Sequence, residues 1–202
     1  MASLRLPALA ATLALLTIAG GCGGTSRTPA QASTRPVSRY PSTEADVRFM
    51  TAMIAHHSQA ITMAQLAASH GAGSSVQRLA ERIVNGQRDE IGTMQLWLRD
   101  RGRSASEGSH AAHGHMMPGM LTEPQLSQLD AARGPEFDRL FLTFMIQHHR
   151  GAVAMVKQLF GTPGAAQDET VFKFANDVNV DQTTEIARME RMLAALPGAT
   201  SS

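Results

Sequence analysis

The feature that most constrains this chain is a block that occurs twice. Met53-Ile54-Ala55-His56-His57-Ser58-Gln59-Ala60-Ile61-Thr62-Met63 returns as Met145-Ile146-Gln147-His148-His149-Arg150-Gly151-Ala152-Val153-Ala154-Met155. Upstream, Glu44-x-Asp46-x-x-Phe49 corresponds to Glu136-x-Asp138-x-x-Phe141. A glycine-containing loop follows each copy, at residues 69–75 and 161–164. A second block comes next: Val76, Ala80, Gln87, Glu90-Ile91, Met94 and Leu98 against Val171, Ala175, Gln182, Glu185-Ile186, Met189 and Leu193. So many matches in one order read as an internal duplication.

Each repeated segment has helical periodicity. Apolar residues fall at Phe49, Met53, Ala60 and Met63-Ala64, then at Leu79, Ile83, Ile91, Met94 and Leu98. Thr43 with Asp46 three residues on predicts a capping box, and Pro135 sits where a first helical turn accepts proline. Strand patterns are absent, and an aromatic content of 4% suits a core of Ala, Leu and Met. The expected fold is all-α. Two helical hairpins, at about residues 43–100 and 135–195, would bury their apolar stripes against each other as a four-helix bundle. A short helix is expected near residues 123–132, within the connection at 101–134.

The repeats are preceded by a different kind of sequence. Arg5 precedes an apolar run, residues 6–18, that is too short to span a bilayer. The run ends at Ala19-Gly20-Gly21-Cys22, which resembles a bacterial lipoprotein signal, although Ala19 stands where Leu is usual. Residues 1–21 are therefore expected to be a signal peptide, with Cys22 lipidated and anchored to the outer face of the cell membrane. Ordinary cleavage, with Cys22 as an incidental thiol, is the alternative. Residues 22–41 are rich in Ser, Thr, Pro and Gln and read as a tether to a folded domain at 42–198. The single Cys leaves that domain with neither a disulfide nor a thiolate ligand. A net charge of +1 gives no basis for nucleic-acid binding or for charge-driven membrane attachment.

At about 100° per residue, Met53, His56, Ala60 and Met63 fall in one sector of a helix, with His57 at its margin. Met145, His148, Ala152 and Met155 repeat that sector, flanked by His149. On the partner helices Gln87, Glu90, Met94 and Leu98 share a face, as do Gln182, Glu185, Met189 and Leu193. Methionine on such a face is ordinarily core filler, and a single inward His is ordinarily a hydrogen-bonded core residue. Paired His at two equivalent places is another matter, because buried imidazoles are costly without partners. Those partners are each other, Glu90 and Glu185, or a metal ion. A second metal signal is the tract His110-Ala-Ala-His113-Gly-His115-Met116-Met117-Pro118-Gly119-Met120, whose bland reading is an exposed linker.

Thioethers select Cu(I), while imidazole serves several metals, so a His/Met set without thiolate points to copper. Zinc lacks its usual Cys ligands and spacing here. The rival is a di-iron or di-manganese carboxylate oxidoreductase, which needs Glu-x-x-His on two helices. Met53 and Met145 stand where those glutamates would be. A third reading is a purely structural bundle holding a polar His–Glu network. No nucleophile or oxyanion arrangement identifies a catalytic centre.

The same motifs resemble the domain of unknown function 305 family of secreted bacterial proteins. The resemblance rests on the two Met-x-x-His-His blocks, Met117-Pro-Gly-Met120, Phe137-Asp138, and the Gln-x-x-Glu-Ile-x-x-Met blocks at 87–94 and 182–189. It implies a ferritin-like helical fold and, for some members, copper binding and copper tolerance through His and Met. Carried over, it falls on Met53, His56, His57, Met63 and their second-copy equivalents. Arg150-Gly151 in place of Ser58-Gln59 is a departure, so the two sites need not be equal. The expected function is copper buffering, tolerance or transfer outside the cytoplasm, with copper-handling proteins as partners.

Overall fold

The computed structural model describes residues 41–104 and 117–197. Among the described residues the protein is all-helical: α1 (Glu44–Gln65), a 3-10 turn (Leu66–Ala68), α2 (Ser74–Arg99), α3 (Glu123–Ala131), α4 (Gly134–Phe160) and α5 (Glu169–Ala194). No helix among them is long and apolar enough to cross a membrane. Cys22 and the segment holding His110, His113, His115 and Met116 lie outside the described residues.

Local chemistry explains where the helices begin. The Thr43 hydroxyl accepts from the Asp46 amide, and the Asp46 carboxylate accepts from the Thr43 amide, closing the capping box at the start of α1. Thr122 and Gln125 repeat the device at α3, where Pro124 is tolerated because first-turn amides need no helical acceptor. Pro135 occupies the same kind of place in α4.

Helices α1 and α2 pack as one hairpin, α4 and α5 as another, and α1 against α4 joins them. The join is antiparallel, as two cross-links show. Asp46, at the start of α1, accepts from the Ala166 amide beyond the end of α4 at 2.6 Å. Asp138, at the start of α4, accepts from the Gly73 amide beyond the end of α1 at 3.1 Å. Each hairpin's first helix thus holds the other hairpin's loop. Both carboxylates are buried, so each loop amide is satisfied where water does not reach it.

Two apolar cores result, one toward each end. One gathers Met63, Leu79, Ile83, Phe137, Phe141, Met145 and Met189. The other gathers Phe49, Met53, Met94, Trp97, Met155, Phe174 and Val178. A layer of buried polar residues lies between them.

Candidate metal centre

Four helices contribute to the layer between the cores: His56 and His57 from α1, Gln87 and Glu90 from α2, His148 and His149 from α4, Gln182 and Glu185 from α5. All four imidazoles are wholly buried, and Gln87 and Gln182 nearly so. The helical period that makes the apolar stripes continuous above and below also turns these residues inward.

The four His do not converge on one point. His56 and His148, at matching places in the two motifs, meet across the α1–α4 contact with ring centroids 3.8 Å apart. His57 and His149 instead turn to their own hairpins. His149 Nε2 lies 2.8 Å from Glu185 Oε2 in a hydrogen bond. His57 Nε2 lies 2.7 Å from Glu90 Oε2, but neither atom has hydrogen-bond alignment with any partner. Among the described residues no three His, Cys, Asp or Glu side chains come together as a ready metal cage.

Protonation states follow from this geometry. Burial, then the neighbouring His57, pushes His56 down to about 3. His56 is therefore neutral at physiological pH. Its Nε2 faces the Pro118 carbonyl at 3.0 Å, and a carbonyl only accepts, so Nε2 carries the hydrogen and Nδ1 keeps a lone pair. Burial, then His56 and His149, likewise holds His148 well below its usual value. At Glu185 burial works upward, but His149 and Arg82 outweigh it and keep the carboxyl below its ordinary range.

Unpartnered atoms make this layer unusual. His56 Nδ1, both His148 nitrogens, His57 Nδ1 and His149 Nδ1 are buried without a hydrogen-bond partner, as are both polar atoms of Gln87 and Gln182 Oε1. Each such group costs about 1–3 kcal/mol if nothing satisfies it. His70 provides the contrast. It too is buried, yet its Nδ1 meets Ser69 Oγ at 2.9 Å and its Nε2 meets the Asp130 carbonyl at 2.9 Å. A structural histidine in this fold is satisfied, whereas those of the layer are not.

The arrangement fits a metal. A ligating His typically gives its other N–H to a carboxylate or carbonyl, which sets the tautomer and aims the free nitrogen. His149 on Glu185 and His56 on Pro118 have that form, each with Nδ1 left over. Glu90 and Glu185 lie 2.7 and 2.8 Å from imidazole nitrogens, where they are placed to orient the rings. Met53 lies in the core that holds Met94 and Met155, and Met63 in the core that holds Met145 and Met189. Met117 is half-buried against the Met53 core, and Met120 is half-buried in the same loop.

Two accesses flank the layer. On one side residues 117–121 lie over the His56–His148 contact. Gln59 clamps this loop, its side chain bonding the Leu121 amide at 2.8 Å and the Leu121 carbonyl at 3.1 Å. The matching residue on α4 is Gly151, and a Cβ there would lie 2.0 Å from the Pro118 carbonyl oxygen. The loop can sit down only because one copy has Gln and the other Gly. On the other side α2 and α5 leave a cleft of about 280 Å³, lined by Arg82, Gln87, Glu90, Asp181, Gln182 and Glu185. Burial, then the charges of Glu90, Asp177 and Glu185, raises the Asp181 carboxyl, marking this cleft as electronegative.

Sequence reasoning missed Gln87 and Gln182 as members of the site. The available signal was a polar residue kept at the same place on both apolar faces. It also missed the Pro118 carbonyl and Arg82, which only the tertiary fold brings in.

Two antiparallel helical hairpins enclosing a buried imidazole layer between methionine-containing cores define a class of all-helical proteins with a potential metal centre. The chain belongs to the DUF305 family, a domain of unknown function, whose model matches residues 46–193. A DUF305 fragment from Deinococcus radiodurans is 30% identical, covering 77% of this chain and 99% of its own, with a TM-score of 0.67. A DUF305 protein of Streptomyces coelicolor, named as secreted, is 29% identical over 78% of this chain and 96% of its own, with a TM-score of 0.66. CopM in its Cu(II)-bound form is 31% identical over 73% of this chain and 95% of its own, with a TM-score of 0.60. CopM in its Cu(I)-bound form is 27% identical over 76% of this chain and 98% of its own, with a TM-score of 0.58. No curated protein matches the chain.

Proposed function

We propose that this protein binds copper outside the cytoplasm and buffers it or hands it on. The observation that carries the reading is the set of buried imidazole nitrogens without partners, His56 Nδ1 and His148 Nδ1 and Nε2 foremost, between two methionine-containing cores. Neutral imidazole and thioether suit copper, and Cu(I) in particular. The likeness to CopM, whose structures hold Cu(I), Cu(II) and silver, supports the choice of metal.

In this reading the two hairpins form a duplicated, ferritin-like four-helix bundle. His56 and His148 sit at its centre, His57 and His149 beside them, and Met53, Met63, Met145 and Met155 above and below. The tract from His110 to Met120, including His113, His115, Met116 and Met117, takes copper first and delivers it to the layer. Its last residues already lie against His56 through Pro118, which supports that role. Lipidation at Cys22 tethers the domain to the outer face of the cell membrane, where a copper-handling protein is the partner. The secreted relative supports export.

Metal analysis of the purified protein, followed by Cu(I) and Cu(II) titration, tests the proposal. Copper binding tighter than micromolar is expected. It should be lost when His56, His57, His148 and His149 are all changed to Ala, and unaltered affinity in that variant would refute the reading. The His57–Glu90 and His149–Glu185 contacts favour one rival, a di-iron or di-manganese oxidoreductase. Bound iron with oxygen consumption would replace copper by that reading.

A further inference from the structure

The two histidine–glutamate arms look alike in sequence but differ in chemistry. On the second hairpin both carboxylate oxygens are engaged: Glu185 Oε2 accepts from His149 Nε2 at 2.8 Å, and Glu185 Oε1 takes Arg82 at 3.1 Å. Arg82 comes from α2 of the other hairpin, so a cation already sits on that carboxylate. The residue of α5 that matches Arg82 is Asp177, by the same register that matches Gln87 with Gln182 and Glu90 with Glu185. The first arm therefore faces a carboxylate where the second faces a guanidinium. Glu90, Asp177 and Asp181 line one groove, where Asp177 pairs with the exposed Lys173.

The first arm also has free donors. His57 Nε2 and Glu90 Oε2 lie 2.7 Å apart, yet neither makes a hydrogen bond. Two ligands on one ion, each at about 2.0–2.1 Å and at right angles, stand about 2.9 Å apart. Gln87, its oxygen and nitrogen both unpartnered and its side chain almost wholly buried, lines the α2–α5 cleft together with Glu90 and Asp181. One imidazole nitrogen, one carboxylate oxygen and one amide oxygen are harder donors than the thioethers of the cores, and they suit a divalent ion.

We infer that His57, Glu90 and Gln87 form a one-sided entry site for a divalent cation such as Cu(II), reached through the α2–α5 cleft, and that Arg82 closes the equivalent arm at His149 and Glu185. The inference rests on the metal-binding reading above and makes it asymmetric. Arg82 acts as a built-in counter-ion, so one protein presents one divalent mouth although its motifs are doubled.

The test is titration of the full chain with Cu(II) alone and, separately, with Cu(I) alone under anaerobic conditions, with Cu(II) also followed by electron paramagnetic resonance. Glu90→Gln keeps the shape of a part-exposed side chain and should remove one nitrogen/oxygen-type Cu(II) signal. Asp177→Arg, which gives the first arm the counter-ion of the second, should weaken the same site about five-fold or more, the size of one partly screened charge. Arg82→Gln changes a half-exposed residue and should add one Cu(II) of the same type. Circular dichroism confirms that each variant is folded. Equal losses from Glu90→Gln and Glu185→Gln, or no added Cu(II) in Arg82→Gln, would overturn the asymmetry. Binding of Cu(I) without Cu(II) would overturn the entry site and leave the copper reading standing. Binding of neither would overturn both.

Discussion

The helices α2 and α5 begin at matching places but are capped in opposite ways. At α5 the N-cap is Asp168, whose carboxylate accepts from the amides of Thr170 and Val171 at 3.0 and 3.2 Å. The same group takes Trp97 Nε1 at 3.1 Å and Arg101 at 2.6 Å, binding the end of α2 to the start of α5. At α2 the N-cap is Gly73, which has no side chain to offer. Its amide is held by Asp138 of the other hairpin, and a Cβ there would lie 2.8 Å from the Asp138 carboxylate. The same contrast appears at the loop over the layer, where Gln59 grips and Gly151 makes room. Similar sequences thus build a pair of hairpins in which each lacks something the other supplies. The shared pattern gives the frame, and differences at a few positions join the halves.

Changes that make the halves more alike should therefore do the most damage. Gly151→Gln, copying Gln59 onto α4, is the severest. Its Cβ would meet the backbone of Pro118 and Gly119 at 2.0–2.6 Å, and backbone cannot swing aside as a side chain can. A cost of about 3 kcal/mol is expected, the upper end of ordinary overpacking, together with loss of the His56–Pro118 bond. For a domain of this size that lowers Tm by roughly 6–12 °C, which differential scanning calorimetry reads directly.

Asp168→Asn comes next. It keeps the shape but removes the charge from four hydrogen bonds, one of them to Arg101. A loss of about 2–3 kcal/mol is expected in urea unfolding at neutral pH. Burial pushes the Asp168 carboxyl up, but Trp97, the Val171 amide and Arg101 more than reverse this and hold it below its usual value. A lowered folded-state value gives stability that is present above the unfolded pKa of about 3.9 and fades as pH falls through the folded one. The difference between wild type and variant should thus be constant from pH 7 to about 4 and shrink below that.

Gln59→Ala should cost about 1–2 kcal/mol, since it removes both bonds to Leu121 and leaves the loop to the His56–Pro118 and Gln147–Gly119 contacts. Amide exchange at Leu121 should quicken while the helices stay protected.

How far these differences are legible without coordinates depends on their range. The helices, the Thr43–Asp46 box, the proline of α4 and the inward face of His56 and His148 follow from local pattern, because helical period and capping act over a few residues. The pairing of His56 with His148, and the turning of His57 and His149 toward glutamates, depends on the α1–α4 crossing, which no local signal encodes. Gly151 stands out in the sequence as a departure from Gln59, but its reason is a loop backbone that arrives from about thirty residues away. Arg82 and Asp177 read as ordinary solvated charges. Only the packing of α2 against α5 sets Arg82 beside Glu185 and Asp177 in a groove with Glu90, which makes them opposites.

The smallest effect separates the two capping modes most sharply. Asp138 is buried, and burial raises its carboxyl although the Gly73 amide works against that. A raised folded-state value means that ionised Asp138 is disfavoured by folding: its contribution is fully present below the unfolded pKa and is lost as pH rises through the folded one. Asp138→Asn resembles the protonated acid and still offers an oxygen to Gly73. At pH 7 it should change stability by no more than about 1 kcal/mol, because the weaker neutral acceptor is offset by the charge no longer buried. The variant should match wild type most closely near pH 3 and gain on it as pH rises. Asp168→Asn should do the reverse, falling behind as pH rises to about 4 and keeping that deficit above it. Two aspartates that serve the starts of matching helices would then have pH profiles of opposite slope, measured by the same urea midpoints. Parallel profiles would mean that Asp138 acts as an ordinary charged cap, and that α2 and α5 are held alike after all.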